Sequence, residues 1–129
     1  MSDWRLRPAR ARDAEAMPAI ERAAAMLFSG MPDLGTFDRE ATRSAEECRL
    51  LIEGGHCLVA DSDDAPAGFL LAEPLGRELH LWEVSVAPAN QRRGIGLALV
   101  RACLQNARGA GFSAVTLTTF RHIPWNGPF

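Results

Sequence analysis

The chain has 129 residues, the length of one domain, and apolar residues make up 47% of it. This composition excludes a disordered or fibrous protein, and the formal net charge of -2 argues against nucleic acid as a partner, because no general positive field exists. The chain contains neither lysine nor tyrosine, which excludes any mechanism that needs one of these side chains from it.

The amino terminus carries no apolar run like that of a signal peptide. No stretch approaches the roughly 20 apolar residues that span a bilayer, so no membrane association is predicted. Three cysteines show neither C-x-x-C spacing nor histidines at the spacing of metal ligands, and we expect them to be reduced and buried: Cys48, Cys57 and Cys103. These features predict a cytoplasmic protein without a metal.

The first elements in chain order are a strand and a helix. Residues 4–7 alternate in polarity and stop at Pro8, which is typical of a short edge strand. Asp13 is predicted to cap an Ala-rich helix that runs to residue 28. Pro18 lies about one turn inside that segment, so the first turn is either loose or the helix begins near Pro18.

A second helix and three strands follow. Ser44 and Glu47 have the spacing of a capping box, which predicts a helix that ends at Gly54. Runs of strand-forming residues bounded by turns then predict an antiparallel meander of residues 57–61, 67–72 and 78–86.

The last predicted elements are a helix and a strand. Residues 94–110 repeat apolar side chains with the helical period, and residues 114–120 are rich in Val, Thr and Leu. A strand, a helix and a strand in this order form a right-handed crossover. We therefore expect residues 114–120 to pair in parallel with residues 78–86.

The loop before this helix has the composition of an anion site. Gly94 and Gly96 let the backbone come close to a ligand where the first amides and the helix dipole attract negative charge. Arg92 and Arg93 add two guanidinium groups suited to phosphate. The loop predicts a site for a diphosphate.

Three diphosphate-binding designs are open to such a loop. A P-loop needs a lysine, which the chain lacks. A dinucleotide fingerprint needs Gly or Ala where Leu99 stands and an acidic residue about 20 positions further, where Thr116 and Leu117 stand. The third design, Q/R-x-x-G-x-G/A, is matched by Gln91-Arg92-Arg93-Gly94-Ile95-Gly96. A binding domain for another phosphate ligand stays an alternative.

With the residues that flank it, this motif resembles the acetyl-CoA loop of the GNAT superfamily of N-acetyltransferases. The resemblance is strong over residues 79–104 and looser over the whole chain, whose predicted element order is that of the family. It implies an α/β fold with a mixed, mostly antiparallel sheet flanked by helices, in which strands four and five are parallel and splay apart. It also implies acetyl transfer from acetyl-CoA to an amine of a small molecule or peptide by direct attack in a ternary complex. A CoA-binding module without turnover is the alternative.

The resemblance also implies which residues hold the cosubstrate. The loop and the helix opening correspond to the pyrophosphate site: Gln91, Arg92, Arg93, Gly94, Ile95, Gly96 and Leu97. Backbone groups of Val84, Ser85 and Val86 correspond to the pantetheine contacts, with an oxyanion donor at a strand bulge nearby. Asn126 corresponds to an asparagine that bonds the pantetheine arm in relatives. Dimers are common among relatives, so a homodimer is compatible with the resemblance.

Glu83 and His80 are the candidates for the general base. Glu83 stands where many relatives carry an acid, and a carboxylate can take the amine proton through water. His80 is the other candidate, because imidazole is the commonest general base in enzymes. Residues three apart in a regular strand face opposite sides, so only one of the two would line the cleft unless a bulge intervened.

Two further expectations come from the resemblance. The acceptor pocket of relatives corresponds to the region of Met26, Phe28, Met31 and Phe37. Relatives continue with a loop, a helix and a final strand, and a tyrosine near the start of that helix often protonates the CoA thiolate. We expect a longer version of the chain to carry this tyrosine just beyond Phe129.

Overall fold

The computed structural model describes residues 4–26, 43–91 and 93–117. Its elements, in chain order, are β1 (Trp4–Pro8), a 3₁₀ helix (Ala11–Glu15), α1 (Met17–Met26), α2 (Ala45–Glu53), β2 (Leu58–Ser62), β3 (Ala65–Leu75), β4 (Glu78–Val86), a second 3₁₀ helix (Pro88–Asn90), α3 (Ile95–Gly109) and β5 (Ala114–Leu117). The described strands form one sheet in the order β1-β2-β3-β4-β5. Neighbours are antiparallel except β4 and β5, which are parallel. The predicted mixed, mostly antiparallel sheet is confirmed.

The first helix begins near Pro18, and the predicted start at Asp13 is wrong. Asp13 does not cap a long helix but lies buried in the 3₁₀ helix, where Arg7 donates to both of its carboxylate oxygens at 2.8 Å. The Arg10 amide donates to the same carboxylate at 2.6 Å. α1 begins only at Met17, with Pro18 in its first turn. Proline is tolerated there because the first amides of a helix have no hydrogen-bond acceptor within the helix. The alternative start near Pro18 is confirmed, and the predicted end at residue 28 lies outside the described residues.

The predicted capping box of α2 is confirmed. The Ser44 hydroxyl accepts a bond from the Glu47 amide, and the Glu47 carboxylate accepts one from the Ser44 amide, both at 3.1 Å. These reciprocal bonds fix the direction in which the chain enters α2. They therefore also fix the position of Arg43, the residue just before the cap.

The sheet has a buried core on each face. One face, the α3 face, packs on α3 through a cluster that includes Leu70, Ala72, Leu79, Leu99 and Cys103. The other, the α2 face, packs on α1 and α2 through a cluster that includes Met17, Cys48, Ile52, Cys57, Phe69 and Leu71. All three cysteines are free and buried, as predicted.

β3 is longer than predicted. Its ladder with β4 continues to the pair Leu75 and Glu78. The turn between β3 and β4 is therefore confined to Gly76 and Arg77, and Gly76 has a φ of 64°, which favours glycine. Among the described helices, none has the length and the apolar character needed to cross a membrane.

β4 contains a bulge at Trp82. The ladder positions on either side pair Leu71 with Glu83 and Ala72 with Leu81. Before the bulge, Leu79 and Leu81 belong to the core of the α3 face, whereas after it Val84 and Val86 pack there. The extra residue thus reverses the in-and-out alternation of the strand.

Candidate active site

The two candidates for the general base, His80 and Glu83, lie on the same face of the sheet. The His80 ring meets the Trp82 indole edge to face, with ring centroids 4.4 Å apart, and its Nδ1 lies 2.7 Å from Thr116 Oγ1. Trp82 packs against the core of the α2 face. Because the bulge at Trp82 reverses the alternation of the strand, Glu83 lies on this face as well. In a regular strand, His80 and Glu83 would instead lie on opposite faces.

The Glu83 carboxyl is mostly buried, with 12% of its side chain exposed, and has three polar neighbours. Arg43 Nη1 donates to Oε1 and the Ser85 hydroxyl donates to Oε2, both at 2.7 Å. The Glu21 carboxyl on α1 is the third neighbour, and its Oε1 lies 4.0 Å from the same Arg43 Nη1. Burial, followed by the effect of the Glu21 carboxyl, raises the pKa of Glu83 to about 8, against the lowering by Ser85 and Arg43.

The sequence did not indicate Glu21 and Arg43 as site residues. The Arg43 amide donates to Glu21 Oε2 at 3.2 Å, and the Arg43 guanidinium lies 5.6 Å above the Trp82 ring centroid. Contacts between such distant parts of one sequence leave no local pattern. The one available signal was an acid in the Ala-rich α1, where Glu21 interrupts the apolar residues.

The opening of α3 has the geometry of an anion site. Gly94 precedes the helix with a φ of 82°, a left-handed conformation that glycine adopts without strain. The Ala98 amide donates to the Gly94 carbonyl at 3.0 Å, so the amides of residues 95–97 have no acceptor within the helix. A Cβ on Gly94 would meet nothing within 4 Å. This open turn, whose first amides have no acceptor within the helix, can bind an anion.

Polar side chains of the loop hold its backbone in place. Gln91 Nε2 donates to the Val86 carbonyl at 3.0 Å. Arg93 Nη1 donates to Asn90 Oδ1 at 2.6 Å and to Ser62 Oγ at 3.2 Å. These bonds tie the loop to β4 and to the end of β2.

Five residues predicted from the sequence to belong to the site lie outside the described residues: Arg92, Asn126, Phe28, Met31 and Phe37.

β4 directs alternate backbone groups away from β3. The Ala87 amide donates to the Ala67 carbonyl at 2.8 Å. In an antiparallel ladder that bond makes Ser85 a hydrogen-bonded partner of β3, whereas the N–H and C=O of Val84 and Val86 point to the side on which β5 lies. The bulge expected near these residues lies earlier, at Trp82.

A cavity of about 310 Å³ opens on the α2 face beside Arg43, one of the partners of Glu83. Its lining residues are Arg43, Glu47, Leu50, Leu51, Glu73 and Trp82. Trp82 Nε1 donates to Glu73 Oε1 at 2.9 Å, which fixes the indole as one wall. The cavity combines apolar walls with one guanidinium and two carboxylates, the mixture of apolar surface and a few polar groups that is typical of small-molecule pockets.

Comparison with known proteins identifies the family. The model of the acetyltransferase (GNAT) family matches residues 20–122, which is more than half of the chain. The chain therefore belongs to the GNAT family of acetyltransferases, as the loop motif predicted.

Individual relatives agree with this assignment. Human and mouse N-acetyltransferase 8 are 38% identical to the chain over 76 residues, which cover 54% of this chain and 34% of theirs. The match thus spans about a third of the length of these curated relatives. Among solved structures, PaiA N-acetyltransferase from Thermoplasma acidophilum in complex with coenzyme A has a TM-score of 0.78 and 18% identity, covering 97% of this chain and 84% of its own. A GNAT family acetyltransferase from Brucella melitensis in complex with acetyl-CoA has a TM-score of 0.69 and 25% identity, covering 96% and 81%.

Proposed function

We propose that this chain transfers the acetyl group of acetyl-CoA to an amine of a small molecule or peptide, by direct attack within a ternary complex. The observation that carries this proposal is that one strand, β4, bears the buried Glu83 carboxyl and leads into the glycine-opened start of α3. Related proteins that bind CoA and acetyl-CoA support the same cosubstrate.

The α3 opening is the proposed pyrophosphate site. The amides of residues 95–97 and the helix dipole attract the anion, and the guanidinium groups of Arg92 and Arg93 add positive charge. Backbone groups of Val84 and Val86, which point away from β3, pair with the pantetheine arm as an added strand would. Asn126 is the proposed side-chain contact to the same arm.

Glu83 is the proposed general base, and His80 on the same face is the second candidate. The acetyl thioester supplies the acyl group, so the new C–N bond forms as the C–S bond breaks. The attacking amine must be neutral and must lose a further proton after attack, and Glu83 takes a proton directly or through water. A carboxyl with a pKa of about 8 is a stronger base than an ordinary glutamate. The proton balance closes when solvent protonates the departing thiolate.

Binding of the cosubstrate is tested by thermal unfolding with and without CoA. A ligand that binds only the folded state raises Tm by mass action, so millimolar CoA is expected to raise the Tm of the native chain. Gly94→Val is expected to abolish this rise, because valine strains the left-handed turn that presents the amides. No rise for the folded native chain would contradict the proposal.

Turnover is tested by thiol release from acetyl-CoA with a panel of amines. Glu83→Gln should lower kcat by about 100-fold or more and leave the CoA-induced rise in Tm intact. His80→Gln, measured in parallel, tests the second candidate.

The alternative is a CoA-binding module without turnover, and one observation favours it. Both oxygens of Glu83 already accept hydrogen bonds, Oε1 from Arg43 and Oε2 from Ser85, so an amine or water must compete with these donors to reach the carboxylate. This alternative predicts a full CoA-induced rise in Tm but no thiol release above background with any amine.

A further inference from the structure

Glu21 and Glu83 form a carboxyl pair on the α2 face of the sheet. Glu21 belongs to α1 and Glu83 to β4, and one atom, Arg43 Nη1, lies within 4.0 Å of a carboxylate oxygen of each. Only 14% and 12% of the two side chains are exposed, so water screens their charges weakly.

Arg43 contacts both members of the pair. Its Nη1 lies 2.7 Å from Glu83 Oε1 and 4.0 Å from Glu21 Oε1, and its amide donates to Glu21 Oε2 at 3.2 Å. One guanidinium balances one negative charge, whereas two ionised carboxylates would leave a second charge buried and unbalanced. The arrangement therefore favours a pair with one proton and one negative charge.

Among the described residues, the other groups packed around Glu83 supply no second cation. Ser85 on the same strand donates a neutral hydroxyl, and β3 opposes Glu83 with Leu71. Cys48 of α2 also faces the pair, and burial raises the pKa of its thiol to about 11, so it is neutral near neutral pH. His80 lies beyond Trp82 on β4, against Thr116 of β5.

We propose that Glu21 and Arg43 are positioning residues that set the charge of the Glu83 carboxyl: Glu21 retains a proton on the pair, and Arg43 stabilises its single negative charge. The inference rests on the proposed role of Glu83 as the base, and it adds that this base becomes available only when the pair gives up its last proton. With a pKa of about 8 for Glu83, the acid limb of kcat/KM is expected near pH 8 and not near the ordinary 4.5.

Two substitutions should move the titration of Glu83 in opposite directions. Glu21→Gln removes a negative charge and should lower the pKa of Glu83 by about one pH unit or more, whereas Arg43→Gln removes a positive charge and should raise it by a similar amount. The readout is the carboxyl ¹³C resonance of Glu83 in the full chain labelled on glutamate side chains, assigned by its loss in Glu83→Gln. The pH profile of kcat/KM is recorded for the same proteins.

Two further variants act as controls. Glu46→Gln removes an exposed carboxylate that is paired with Arg49 on α2, and it should leave the titration of Glu83 unchanged. Arg43→Lys keeps the positive charge and should hold the pKa of Glu83 near its native value. If Arg43→Gln does not fold, Glu21→Gln and Arg43→Lys carry the test.

An unchanged titration of Glu83 in Glu21→Gln would overturn the inference, even if the variant lowered Tm, because a merely structural contact affects stability alone. A titration that moves together with the acid limb of kcat/KM supports both the carboxyl pair and the role of Glu83. A titration that moves while the kcat/KM profile stays fixed supports the carboxyl pair and contradicts Glu83 as the base. The two failures are thereby distinguished.

Discussion

At the scale of single residues, the charge of Glu83 links the proposed chemistry to stability. Burial and the neighbouring Glu21 raise its pKa from 4.5 to about 8 in the folded chain. Between these two values the folded state holds a proton that the unfolded state has released. The stabilisation from this proton is therefore present in full below pH 4.5 and is lost as the pH rises through about 8.

Glu83→Gln removes this titration and gives a test by calorimetry. The native chain must ionise a buried carboxyl at high pH, whereas the variant has none at this position. We therefore expect the Tm of the variant relative to the native chain to increase from about pH 5 to about pH 9. Glu46→Gln, which alters an exposed carboxylate, should show a constant difference over the same range. A constant difference for Glu83→Gln would contradict the raised pKa.

At the scale of secondary-structure elements, Gly68 of β3 sets how closely α3 approaches the sheet. A Cβ at this position would lie 3.0 Å from the Ser85 carbonyl oxygen, 3.3 Å from Val86 Cγ2 and 3.4 Å from Ile95 Cγ2. The contact with a backbone oxygen cannot be relieved by a side-chain rotation. Any larger residue must therefore displace β4 or the opening of α3.

Gly68→Ala is expected to lower the free energy of unfolding by about 1–3 kcal/mol. It should also reduce the CoA-induced rise in Tm, because the displaced segments include the proposed CoA contacts. Urea unfolding and thermal unfolding with CoA measure the two effects. Gly109→Ala is the matched control, since its Cβ would meet nothing within 4 Å at the end of α3, and it should be neutral or stabilising by about 0.5–1 kcal/mol. Equal losses in the two variants would count against this role of Gly68.

Elements with local signals were predictable from the sequence. The capping box placed the start of α2, and β4 occupies residues 78–86 as predicted. Asp13 is a residue type that commonly caps helices, but its carboxylate pairs with Arg7 and it lies within the 3₁₀ helix. No local pattern in the sequence indicates this ion pair. The bulge at Trp82 was not predictable in position, because it arises from pairing with β3 and no residue type near it requires an extra residue.

The candidate site divides in the same way. The loop before α3 and the acid on β4 stand in a contiguous stretch, so their pattern was readable from the sequence. Glu21 and Arg43 reach Glu83 only after α1 and α2 pack on the sheet. The charge state of Glu83 depends on that packing, which explains why the sequence named the residue but not its neighbours.

At the scale of the whole molecule, β3 lies at the centre of the described sheet. It pairs with β2 on one side and β4 on the other. Phe69 and Leu71 belong to the core of the α2 face, whereas Leu70 and Ala72 belong to that of the α3 face. Breaking the β3 ladder therefore disrupts both cores at once.

Hydrogen exchange should reflect this arrangement. Amides of residues 69–72 are expected to exchange most slowly and those of β1, at one end of the sheet order, faster, because only the central strand needs global opening. Addition of CoA should slow the amides of residues 95–97 and of Val84 and Val86. Faster exchange in β3 than in β1 would contradict the assignment of the core.

The three buried cysteines allow the opening of the folded protein to be measured with thiol reagents. Burial raises the pKa of the Cys57 thiol to about 11 and raises that of Cys103 as well, so a thiol reagent meets little thiolate in the folded chain. The folded protein should therefore contribute little background to a colorimetric assay for released CoA. Cys57 and Cys103 belong to the cores on opposite faces of the sheet, so their separate labelling rates would measure how often each core opens to solvent. The same rates with a ligand bound would show whether the ligand reduces this opening on one face or on both.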